Sequence, residues 1–134
     1  MVDAGAISIP VSAGELIDKI MILEIKAERF SDAEKLRRVR HELDMLRTVR
    51  DAALPPSPAL DDLTEGLRVV NRELWRIEDA IRLCEQRQDF GPKFVELARS
   101  VYRNNDRRSE LKRRISELAG SSIVEEKAYT PYTR

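Results

Sequence analysis

Eight consecutive polar residues, Arg103 to Glu110 (RNNDRRSE), interrupt an otherwise regular apolar rhythm near the end of this chain. Asn104 and Arg108 fall at positions where apolar side chains are due. A guanidinium placed in a core without a counter-charge is costly, so Arg108 must be paired, solvated or bound to a ligand. Glu24 is the first candidate partner. Ile17, Ile20, Met21 and Ala27 flank it on a helical wheel, which sets its carboxylate inside an apolar arc, and Arg103 or Arg108 could neutralise it. Asn71 and Glu78 run beside a second seam, together with Trp75 and Arg82. Glu24, Asn71, Glu78, Arg103, Asn104 and Arg108 are therefore the candidates for a polar layer or ligand site. Such a layer can be an internal ion pair that fixes helix register. The sharper alternative is that it lines a pocket for a phosphate or carboxylate, and the last is a wet, frayed seam.

Other chemistry finds little support in the residue pattern. Glu15-x-x-Asp18 has the spacing used by all-helical magnesium-dependent nucleotide pyrophosphohydrolases, but Glu15 also completes a capping box, and Asp62-x-x-Glu65 is a poor second half. Helical chorismate-mutase-like enzymes place Arg, Lys and Glu inside a bundle, yet no ordered motif of that kind occurs. There is no glycine-rich phosphate loop, nucleophile elbow or H-E-x-x-H motif. One cysteine and one histidine leave neither an internal disulfide nor an ordinary zinc site. His41 lies among charges on an exposed helix face. No metal and no cofactor are expected, no catalytic residue can be assigned, and the balance leans away from an enzyme. Seven basic residues crowd Arg99 to Arg114 against Asp106 and Glu110. They form a solvated face or meet the acidic residues Asp61, Asp62, Glu65, Glu73, Glu78 and Asp79, within or between chains. Without interleaved aromatics, nucleic acid is not the expected partner.

These residues need helices to carry them. Ser12 and Glu15 have capping-box spacing, with Val11 and Leu16 as a hydrophobic staple, and open a helix over about 12–29. A second such pair, Ser31 and Glu34, opens another over 31–53, joined to the first as a hairpin or as one kinked helix. Leu54 to Pro58 is a proline linker, and Ser57-Pro58 suits the start of a helix over 58–88. Its Leu60, Leu63, Leu67, Val70, Leu74, Ile77, Ile81 and Cys84 alternate spacings of three and four, a heptad seam that demands a partner helix. Asp89 to Pro92 makes a turn, and a last helix runs over 92–119 with the seam Phe94, Leu97, Val101, Asn104, Arg108, Leu111, Ile115 and Leu118. The phase survives the polar gap, which favours one continuous helix. Gly120 suits a left-handed cap.

The expected fold is all-α: an antiparallel bundle of four main helices with coiled-coil-like seams, a short extended N-terminal lead-in at Ile7 to Val11, and a docked C-terminal tail. At 134 residues it reads as a single domain spanning 1–134. Acidic and basic residues balance at 24 each, so no net field draws the chain to nucleic acid or to an anionic membrane. No stretch is apolar enough to span a bilayer and the start lacks a signal-peptide pattern, so the expected place is the cytoplasm.

The blocks IPVSAGELIDKIMILEIKAER, VNRELWRIEDAIR, ELARSVYRNNDRRSELKRRI and GSSIVEEKAY resemble a family of small uncharacterised bacterial all-helical proteins, a domain of unknown function. The resemblance covers nearly the whole chain, with GELIDK and RSVYRNNDRRSELKRRI its most distinctive elements. It implies bacterial origin and a stand-alone helical domain, and carries no activity or catalytic residue. The expected function is a non-catalytic helical interaction or assembly module, forming a homodimer and open to another protein partner. The alternative is an enzyme or binder of an anionic small metabolite, such as a sugar nucleotide or a phosphorylated or carboxylated ligand, held at the polar layer.

Overall fold

The computed structural model describes residues 5–132, which form four helices and no strand. Helix α1 (Ala13–Arg29) begins where the Ser12 hydroxyl accepts the Glu15 amide at 3.1 Å. The reciprocal half of the expected capping box is not made, because the Glu15 carboxylate reaches the Lys112 ammonium at 2.7 Å instead. A charged donor outcompetes a neutral amide. Helix α2 (Ala33–Ala53) starts two residues later than the Ser31 and Glu34 pair suggested. Asp32 caps it, taking the Lys35 amide at 2.9 Å, and Glu34 pairs with Arg37 and Arg38. An anionic cap also meets the positive end of the helix dipole, which a serine cannot exploit as well.

Helix α3 (Pro58–Gln86) begins with Pro58 behind the Ser57 cap, as its sequence predicts. It stops two residues short of the expected end, where Gln88 takes a left-handed φ of 55° and the Asp89 amide returns to the Cys84 carbonyl at 2.9 Å. Helix α4 (Pro92–Leu118) runs unbroken through Arg103 to Glu110. Gly120 turns left-handed at φ 70° behind it, and the Ser121 amide closes onto the Ser116 carbonyl at 2.9 Å.

Helix α1 is the hub. It packs on α2, α3 and α4, whereas α2 touches only α1 among the helices, and α3 and α4 pair with each other. The ion pairs Glu24–Arg68 and Glu28–Arg72 advance together, so α1 runs parallel to α3. The main core gathers Ile17, Ile20, Met21, Leu43, Leu67 and Ile115 around α1. Length then splits the molecule. The 17 residues of α1 reach about 25 Å, against about 43 Å for the 29 of α3. Phe30, just past α1, meets the Trp75 ring with centroids 6.4 Å apart. Beyond that level α3 and α4 project as a two-helix hairpin with its own small core of Ile77, Cys84 and Leu97, backed by Ile81, Phe94 and Val101.

The C-terminal tail docks as expected and runs back along α4. Lys112 meets Glu125 at 3.1 Å, Arg113 meets Glu126 at 3.0 Å, and Tyr132 packs edge-on against Tyr102 with centroids 4.9 Å apart. The lead-in at Ile7 and Ile9 lies exposed. No helix of the described residues is long and apolar enough to cross a membrane.

Candidate functional site

The polar layer exists, and its counter-charge is Asp18. This residue sits between Ile17 and Met21 on the core side of α1 with 1% of its surface exposed. A carboxylate so placed needs several hydrogen bonds. Arg108 supplies two: Nε donates to Oδ1 at 2.9 Å and Nη2 to Oδ2 at 2.5 Å, a fork whose plane matches the carboxylate. Asn71 adds a third, its amide nitrogen donating to Oδ1 at 2.9 Å and to the Leu67 carbonyl at 3.0 Å. The hydrogen bonds to Asp18 hold the Arg108 guanidinium above the ordinary arginine range, against a burial that pulls it down.

One helical turn further along α4, Lys112 is the second ionic centre. Its ammonium lies 2.7 Å from Glu15, 3.1 Å from Glu125 and 3.9 Å from Asp18. Burial lowers its proton affinity, but the hydrogen bonds to Glu15 and Glu125 outweigh that and raise it above the usual lysine range. The backbone makes this contact possible. An ideal Cβ on Gly14 would overlap the Lys112 carbonyl, so only glycine lets α1 approach α4 this closely. The Gly14 amide donates to the Ser116 hydroxyl at 3.0 Å and the Ala13 amide to that of Ser121 at 3.1 Å. Gly14, Glu15 and Asp18 of the GELIDK block thus all serve one seat on α4.

Glu24 is not part of that layer, contrary to the wheel-based expectation. Six residues rotate a helix by about 120° relative to Asp18, away from α4 and towards α2 and α3. There Glu24 accepts from Arg47 at 3.1 Å and from Arg68 at 3.2 and 3.3 Å. Arg103 also misses it, pairing at 3.2 Å with Glu96 on the exposed side of α4. Asn104 is half-buried and donates to the Ser100 carbonyl at 2.9 Å, a bond within its own helix. Glu78 lies exposed, 3.7 Å from Arg82. Of the six sequence candidates, Arg108 and Asn71 meet directly at Asp18, Glu78 lines a groove that both of them border, and Glu24, Arg103 and Asn104 lie elsewhere. Asp18 is the residue that the apolar pattern missed. Its signal was the small residue one turn earlier: Gly14 and Asp18 share a face, and a glycine there marks a close helix approach.

Two grooves flank the layer, each of about 520 Å³. One lies between α4 and the tail and is lined by Arg108, Ser109, Lys112, Lys127 and Tyr129. The other lies between α1, α3 and α4, with Ile25, Leu74, Trp75 and Asp79 among its walls. Arg108 and Asn105 border both. The layer is satisfied within: no buried side-chain nitrogen or oxygen among the described residues lacks a hydrogen-bond partner. Among those residues, no three of His, Cys, Asp and Glu cluster in a way that could hold a metal. What this arrangement does chemically is to lock the register of α1 against α4.

The chain belongs to a family of unknown function, DUF6165, whose model matches residues 7–133. No curated protein and no solved structure matches it.

Proposed function

We propose that this member of the family is a non-catalytic helical interaction module that self-associates as a homodimer through the projecting α3–α4 hairpin. The observation that carries the proposal is the mismatch in helix length. Past Phe30 the α3–α4 seam has no third helix over it, and Leu83, Phe90 and Val95 are 40%, 47% and 51% exposed there. Heptad-patterned helices are stabilised when a coiled-coil-like partner covers them. A second copy suits this surface by charge as well. Asp79 and Glu85 on α3, and Lys93 on α4, have no ion pair among the described residues. A two-fold axis makes every contact twice, so an antiparallel pair of hairpins would set the acidic side of each α3 against the basic start of the other α4. The resemblance noted in the sequence supports a bacterial origin. The polar layer supports the non-catalytic part, since its groups are committed to one another.

Sedimentation equilibrium at micromolar concentration tests this directly. A dimer is expected, and Leu83→Glu with Val95→Glu should give a folded monomer whose melting temperature no longer rises with protein concentration, because both side chains face solvent in the isolated chain. A wild-type monomer at that concentration overturns the proposal.

A further inference from the structure

A run of arginines remains outside this account. Where the last turn of α1 meets α3 and α4, a groove of about 510 Å³ is lined by Arg29, Arg72, Arg76 and Arg107, with Glu73 as the one carboxylate in its wall. The four arginines come from three helices, in a chain whose total charge is zero. Two of them are partly engaged. Arg72 reaches Glu28 at 2.8 Å, and Arg76 grips Glu73 through Nη2 at 2.6 Å and Nε at 3.1 Å. The other two hold no carboxylate. Arg29 lies over the Trp75 ring, 5.9 Å from its centroid, and Arg107 has no ion pair or hydrogen bond among the described residues.

We propose that this groove binds a phosphoryl-bearing anion, with pyrophosphate as its simplest representative. A guanidinium has five N–H donors in a planar fork, so even Arg76 keeps three after gripping Glu73. Phosphate oxygens match that fork, and Arg29 and Arg107 approach from different helices to close on either side. Val69 and Val70 form an apolar floor, which removes some of the water that would otherwise compete for the oxygens. Asn104, also in the lining, gives one of its two amide N–H groups to the Ser100 carbonyl. The cations are exposed and screened at physiological salt, so a singly charged ion gains little and a multivalent one is required. The groove's volume leaves room for two phosphoryl groups and an attached body.

Isothermal titration of the full chain with sodium pyrophosphate, in a phosphate-free buffer, tests the assignment. Binding is expected, weakened about tenfold by Arg107→Gln and again by Arg29→Gln, the loss of one charge-assisted contact each. Val69→Glu, which adds a carboxylate to the exposed part of the floor, should abolish it. Melting temperatures should stay unchanged in all three variants. Arg103→Gln is the control, because Arg103 lies outside the groove and pairs with Glu96. Three results overturn the proposal: no binding at millimolar pyrophosphate, an equal loss in Arg103→Gln, or citrate binding as tightly as pyrophosphate. None of these depends on whether the chain dimerises.

Discussion

Asp18 and Glu24 stand six residues apart on one helix, and each collects arginine from a neighbouring helix. They do not carry equal weight. Asp18 is sealed, held by a guanidinium fork and an asparagine amide. Glu24 keeps 19% of its side chain in solvent and is held by Arg47 and Arg68 at 3.1 to 3.3 Å, both with more exposure than itself. Water can replace the partners of Glu24, whereas Asp18 is almost wholly shut off from it. The same chemical pair therefore tolerates change on one side of α1 and dictates helix register on the other.

Removing the sealed carboxylate should have the largest effect. Asp18→Ala leaves Arg108 and Asn71 without their acceptor and should cost about 3–5 kcal/mol in urea unfolding. Replacing the pair together, Asp18→Leu with Arg108→Leu, should recover most of that loss, since an apolar pair removes the desolvation penalty. If Asp18→Ala cost no more than Glu24→Ala, the contrast between the two clusters would collapse. Gly14→Ala comes next, at about 1–3 kcal/mol, because its methyl must push α1 off the Lys112 carbonyl. Glu24→Ala should cost only about 1 kcal/mol after solvent screening.

The smallest effect is an alkaline one. The folded-state proton affinity of Lys112 is raised by Glu15 and Glu125. Its ion pairs therefore contribute fully below the unfolded lysine value of about 10.4 and fade as pH climbs through the higher folded value. Urea midpoints of wild type should fall more steeply than those of Lys112→Met over that alkaline range. Parallel slopes would mean that Lys112 adds nothing to the sealed side.

Much of the architecture was legible from the residues. Ser57-Pro58 and Gly120 mark real helix ends, and the seam phase carried across Arg103 to Glu110 identified α4 as continuous. Periodicity works there because it reports which side of a helix is buried. It cannot say which neighbour does the burying. Both Asp18 and Glu24 fall within the apolar arc of α1, and only the packed helices distinguish the side that meets α4 from the side that meets α2 and α3. Arg103 entered the candidate layer as a counter-charge for Glu24 and Glu78 as a neighbour of the α3 seam, and both are exposed. The path of the tail was not legible either. It depends on scattered ionic contacts such as Arg113–Glu126, which follow no period.

The seat of α1 has a kinetic consequence. Its first turn is held by Ser121 and Ser116, 108 and 102 positions away, and its buried carboxylate by Arg108, 90 positions away. Helices and the α3–α4 hairpin can form from nearby contacts, but α1 cannot lock until almost the whole chain has been made and brought round. Loops that long close late and slowly. During synthesis the first helix would wait, its apolar side uncovered, for the last. The step that completes folding is then the closure of α1 onto the end of α4, and Gly14 is the point where it shuts.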